Sequence, residues 1–125
     1  MDHAQFAKIA EQQLDARRRK NMLPVTQLQQ FTKALDSGKT LVVDFWTDWC
    51  HSCKNLEPIM DKLSGVFGTK AEFLKVNADE YPDLTQEYGI SAYPTVLVFK
   101  NGEIVEQIVG AYPENALKEL IQQHV

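Results

Sequence analysis

Cys50 and Cys53 follow the apolar run Leu41-Val-Val-Asp-Phe-Trp46 and stand where a helix-like stretch begins. In a helix, residues i and i+3 share a face about one turn apart. That spacing falls within the roughly 4.4–6.8 Å that a disulfide needs between its Cα atoms. The pair can therefore open and close with little backbone movement. The free N–H groups and positive dipole end of a helix start stabilise a thiolate at the first cysteine, which is how a thiol becomes a nucleophile near neutral pH. Cys50 is the expected attacking sulfur and Cys53 the resolving one. A second group with chemical potential lies just upstream. Asp44 interrupts an otherwise apolar strand-like run, and burial there raises a carboxyl pKa toward the range of a general acid or base at pH 7. The competing reading is a partly exposed strand-end carboxylate bonded to local N–H groups.

The elements that must position these groups follow from periodicity. Thr26-x-x-Gln29 reads as a capping box before a helix whose Leu28, Phe31 and Leu35 share a face, with Asp36-Ser37-Gly38 as its stop. Leu41 to Trp46 suits a strand buried on both faces, as in a parallel sheet. From Cys50, the residues Leu56, Ile59, Met60, Leu63, Val66 and Phe67 follow the helical period to Gly68, with a bend predicted at Pro58. Phe73 to Val76 is the next strand, completing a βαβ unit. The thiols then lie at the carboxyl end of a strand, where open α/β sheets place their chemistry. A short helix over Asp83–Tyr88 precedes a strand over Thr95–Phe99. Asn101-Gly102 turns that strand into an antiparallel partner over Ile104–Val109. A last helix from Pro113 or Glu114 carries Leu117, Leu120, Ile121 and His124 toward the core.

The chain's 125 residues, 44% hydrophobic and 24% charged, fit one domain large enough for a core without structural disulfides. Both cysteines belong to one motif, which favours a reducing compartment and a cytoplasmic address. There is no apolar stretch of membrane-spanning length and no secretory pattern in the first twenty residues, so neither membrane insertion nor export is expected. The net charge of −4 argues against nucleic acid as a partner. Residues 1–24 form an N-terminal extension with five basic and three acidic side chains, and residues 25–125 form the domain. Phe6, Ile9, Ala10 and Leu14 make a narrow helical stripe ahead of the basic run Arg17–Lys20. A solvated helix or frayed extension is the simpler reading of that stretch, and a docking or membrane-surface role the alternative.

At this point four separated blocks resemble the thioredoxin family over about Val25–Val125. They are Val43–Lys54 with its Cys-His-Ser-Cys, Pro58, Lys75-Val-Asn-Ala-Asp79, and Tyr88–Thr95 leading into Phe99–Gly102. The resemblance implies an α/β fold in which a central mixed sheet carries helices on both faces. It also implies a dithiol/disulfide cycle acting on protein disulfides and recharged by a thioredoxin-reductase-like donor. By that likeness Asp44 is the buried carboxylate beneath Cys53, and Lys75 is its paired lysine. Pro94 is a cis proline facing the thiols. Trp49, the Tyr93 backbone and the Gly110-Ala111 loop complete a shallow docking surface. No cofactor is implied, and a monomer is the default.

The chain departs from the family pattern between its cysteines, where His51 and Ser52 replace the Gly-Pro of typical thioredoxins. Losing a rigid proline and placing an imidazole near the thiolate both favour a more oxidising couple. An exposed His51 with a small, screened effect is the alternative. Tyr93 is similarly bulkier than usual and resembles the Tyr-Pro-Thr of protein disulfide isomerase domains. It either narrows substrate choice or packs as an ordinary aromatic. Three activities remain open on sequence alone: a disulfide reductase, an oxidase or isomerase of the same fold, and a redox-inert binding module. Metal binding is not expected. Cys50, Cys53 and His51 fall short of four zinc ligands, and no second CxxC is present.

Overall fold

Every residue from Thr40 to Phe45 is buried, and a strand with no polar face is stable only between two covered layers. A computed structural model describing residues 22–25 and 28–125 places this run at the centre of a five-stranded sheet. In chain order the elements are β1 (Leu23–Pro24), α1 (Leu28–Asp36), β2 (Thr40–Trp46) and α2 (His51–Phe67). A 3₁₀ turn (Gly68–Lys70) leads to β3 (Ala71–Asn77), α3 (Pro82–Glu87), β4 (Thr95–Lys100), β5 (Glu103–Val109) and α4 (Glu114–Gln122). The strands lie in the order β1-β3-β2-β4-β5. β2 runs parallel to β3 and antiparallel to β4, so the sheet is mixed as expected.

Alternation along β2 divides the interior in two, because successive side chains point to opposite faces. Val42 joins Leu56, Met60 and Leu63 of α2 and Leu117 and Ile121 of α4 in one core. Leu41, Val43 and Phe45 join Phe31 and Ala34 of α1 and Leu84 of α3 in the other. Asp44 has the parity of Val42, so it faces α2. Its parallel-strand partner in register is Lys75.

The β4–β5 hairpin closes through Asn101 and Gly102, with φ of +53° and +79°. These are the left-handed values a tight two-residue hairpin turn needs, and they suit Asn and Gly. α2 is continuous across Pro58 and spans all the periodic residues from Leu56 to Phe67.

Several expectations need correction. Leu28 is 51% exposed and Val66 52% exposed, so neither belongs to its helix's inner face. Ala34 takes the inner position on α1, and Ser64 takes it on α2, where its hydroxyl donates to the Asp61 carbonyl at 2.7 Å. A hydroxyl that bonds its own helix backbone loses its polar demand and can be buried. His124 does not enter the core; its ring nitrogen lies 3.0 Å from Glu106 Oε1. The folded unit also reaches further back than residue 25. Met22 is buried in the α2-side core, and Leu23–Pro24 pairs with Leu74–Lys75 of β3. Two residues are too few to show strand periodicity, so β1 left no signal in the sequence. Thr26 of the expected capping box and the helical stripe and basic run of residues 6–20 lie outside the described residues.

Leu63 is 1% exposed and stands on the helix of Cys53, well beyond the cysteines. Leu63→Ala is expected to destabilise the protein by about 2–5 kcal/mol through lost burial and a residual cavity. Urea unfolding checks this, read as a lower midpoint at unchanged slope.

Candidate active site

The turn from β2 into α2 delivers both sulfurs. Trp46 ends the strand, and the Cys50 N–H donates to the Thr47 carbonyl at 3.3 Å to close the turn. Cys50 is the N-cap of α2, with extended backbone at φ −95° and ψ 109°. Its sulfur takes the capping role usually filled by an oxygen: the Cys53 N–H donates to Cys50 Sγ at 3.1 Å. Ser52 Oγ lies 3.5 Å from the same sulfur. Cys50 and Cys53 form a disulfide with Cα atoms 5.3 Å apart, inside the range expected from the i, i+3 spacing. Both cysteines are buried, Cys53 slightly more than Cys50, whereas His51 is exposed beside them. The exposed reading of His51 is therefore the one the geometry matches.

Beneath Cys53 lies a cavity of about 230 Å³, lined by Asp44, Trp46, Thr47, Asp48, Cys53, Lys54, Glu57 and Lys75. Asp44 is 2% exposed, which removes the strand-end alternative. Its pKa is pushed from 3.8 up to about 7, first by burial and next by the negative charge of Glu57. Lys75 lowers it in part, and Asp61 raises it a little further. Asp44 Oδ1, Trp46 Nε1 and Thr47 Oγ1 are buried with no hydrogen-bond partner among the described residues. All three belong to residues lining this cavity. A space of this size and polarity can take water, and water satisfies such groups.

Lys75 differs from its expected pairing. Its Nζ donates to Glu57 Oε1 at 2.5 Å, so the ion pair is with Glu57 and the lysine acts on Asp44 only as a nearby charge. Glu57 escaped the sequence reading. Its signal was its position one helical turn after Cys53, on the face that covers Asp44.

The residues expected to form a docking surface stand in the connections between elements: Trp49 before α2, Tyr93 and Pro94 before β4, and Gly110 and Ala111 after β5. The Tyr93–Pro94 bond is cis, and Pro94 is buried. The Pro94 carbonyl accepts from the Gly110 N–H at 2.9 Å, tying the two loops together. Gly110 has φ of +97°, a conformation that favours glycine. Trp49 is 69% exposed and meets the ring of Tyr93 edge-on at 5.9 Å. Tyr93 is partly buried and also packs on the α1-side core, so its ring joins the exposed Trp49 to the interior. Ala111 is exposed next to Gly110. Among the described residues, no helix is long and apolar enough to cross a membrane.

Comparison with known proteins agrees with this geometry. The thioredoxin family model matches residues 22–123. A thioredoxin from Chlorobaculum thiosulfatiphilum is 42% identical over 94 residues, covering 75% of this chain and 87% of that one. Thioredoxin M4, chloroplastic, from Arabidopsis thaliana is 41% identical over 92 residues, covering 74% and 48%. The crystal structure of Malassezia sympodialis thioredoxin superposes with a TM-score of 0.78 at 37% identity, covering 86% of this chain and 93% of that one. Likeness of this extent, in sequence and in backbone, joined to a CxxC pair capping a helix, places the chain in the thioredoxin family as a thiol–disulfide oxidoreductase.

Proposed function

We propose that the protein reduces disulfides of client proteins in the cytoplasm and is returned to its dithiol form by a thioredoxin-reductase-like donor. The observation that carries this reading is the Cys53 N–H directed at Cys50 Sγ at a helix start. In the reduced protein that donor and the helix dipole favour the Cys50 thiolate. Cys50 attacks one sulfur of the client disulfide, forming a mixed disulfide and expelling the other client sulfur as a thiolate. The Cys53 thiol then passes its proton to Asp44 through the shared cavity. Its thiolate attacks Cys50 Sγ, which breaks the mixed bond, releases the second client thiolate and forms the Cys50–Cys53 disulfide. Two electrons reach the client, and the chain is oxidised by two.

Trp49, Tyr93, Pro94, Gly110 and Ala111 form the surface on which an extended client segment lies, and the protein acts as a monomer. Confinement of both cysteines to one motif supports the reducing compartment. Insulin reduction by dithiothreitol tests the activity: the protein is expected to accelerate precipitation of the insulin B chain. No acceleration would leave only a binding module.

His51 and Ser52 bear on the direction of electron flow. Without the family's proline, the couple is expected to be less negative than the roughly −270 mV of thioredoxin. His51→Gly is expected to make it more reducing, because a protonated imidazole favours the dithiol form. Since His51 is exposed, the shift is expected to stay within about 30 mV, a tenfold change in the exchange equilibrium. A glutathione redox titration reads both values, and equal potentials would leave His51 without a tuning role.

A further inference from the structure

Glu57 sits where two sets of contacts meet. Its carboxylate holds the Lys75 ammonium, and its side chain lines the cavity that also contains Asp44 and Cys53. The Lys75 side chain is 22% exposed and that of Glu57 is 47% exposed, so the pair stands between the buried carboxyl and solvent. Cys53, Glu57 and Asp61 follow one another at i, i+4 spacing along α2, over the strand positions of Asp44 and Lys75.

We propose that Glu57 is a positioning residue for the exchange reaction: by engaging Lys75 and adding a negative charge to the shared cavity, it keeps Asp44 able both to accept and to return the Cys53 proton. This rests on the proton-transfer role proposed above for Asp44. A lysine bonded directly to Asp44 would hold that carboxyl permanently ionised and make it a weak base. With Lys75 engaged by Glu57, its charge on Asp44 is outweighed by that of Glu57. The other groups around Asp44 are few. Asp61 and Lys54 approach from α2 and Asp48 from the turn before it, while the β4 neighbour in register is the apolar Val96. The arrangement therefore turns on residues 57 and 75.

The test uses the full chain with carboxyl-labelled aspartate. Carbon-13 NMR of the oxidised protein across pH 4–10 reads the Asp44 midpoint directly, and release of a preformed Cys50 mixed disulfide across the same range reads its use. Glu57→Gln removes a negative charge and frees Lys75 for Asp44, two changes of the same sign. It is expected to lower the Asp44 midpoint by about one pH unit and to carry the release profile down with it. Lys75→Met is expected to move both the other way.

An Asp44 midpoint that stays put or rises in Glu57→Gln overturns the proposal. So does a midpoint that falls while the release profile stays fixed. Asp44→Asn separates these failures from failure of the underlying reading. If it slows release while Glu57→Gln changes nothing, Glu57 alone loses its role. If it leaves release unchanged, the role of Asp44 falls as well.

Discussion

Cys53→Ser is expected to capture a client disulfide at close to the wild-type rate and then fail to let go. The backbone amide of residue 53, not its side chain, donates to Cys50 Sγ, so serine preserves the activation of Cys50 while deleting the internal thiol. An intramolecular thiol held one helical turn from its target acts at a high effective concentration. Its loss is expected to slow release on the order of 10³-fold or more. The adduct should accumulate and be visible as a mass increase on Cys50 that dithiothreitol removes. Cys50→Ser should form no such adduct at a comparable rate. Rapid capture on Cys53 in that variant would reverse the assigned order of attack.

Asp44→Asn is expected to make the protein more stable and less active, and the stability gain should depend on pH. A carboxyl whose pKa is higher in the folded than in the unfolded chain binds its proton more tightly when folded. Well below pH 3.8 both states are protonated and the residue costs nothing. Between about 4 and 7 folding stability falls as pH rises, and above 7 the full penalty is present. The interval from 3.8 to about 7 sets a ceiling on the order of 4 kcal/mol at ~1.4 kcal/mol per pH unit. Asparagine is neutral throughout, so the variant should gain up to that amount at pH 8 and little near pH 4. Urea unfolding of the oxidised forms at both pH values measures it. A constant difference across that range would mean that Asp44 is not the residue with the raised pKa. In the same variant, release of the mixed disulfide should slow more than its formation.

The chemistry was legible in the sequence where it coincided with strong local patterns. A CxxC after an apolar run announces a strand-to-helix turn. Asp44 stood out because nothing else polar lies between Leu41 and Trp46, and Asn101-Gly102 wrote its own turn. What escaped depends on contacts between elements. The partner of Lys75 is decided by how α2 lies over β3, and two acidic side chains were within its reach once the chain folded. The family likeness offered Asp44, but Glu57 is the carboxylate in contact. Inner faces of helices were likewise only approximately readable. Leu28 and Val66 have apolar character but point outward, whereas Ala34 and Ser64 are small or self-satisfied enough to sit inside. Periodicity counts apolar residues, while burial depends on which stripe the sheet covers.

Asp44 and Cys53 line one cavity, and that is expected to tie the supply of electrons to the acidity of the surroundings. When the disulfide is opened, a titratable thiol appears next to a carboxyl that is itself half-protonated near neutrality. Each group is expected to alter the other's hold on hydrogen ions, so a plot of midpoint potential against pH is expected to bend around neutrality instead of following a straight line. A modest acidification or alkalinisation of the surroundings is thus expected to change how readily this dithiol gives up its electrons, with no partner, ligand or rearrangement of the sheet involved.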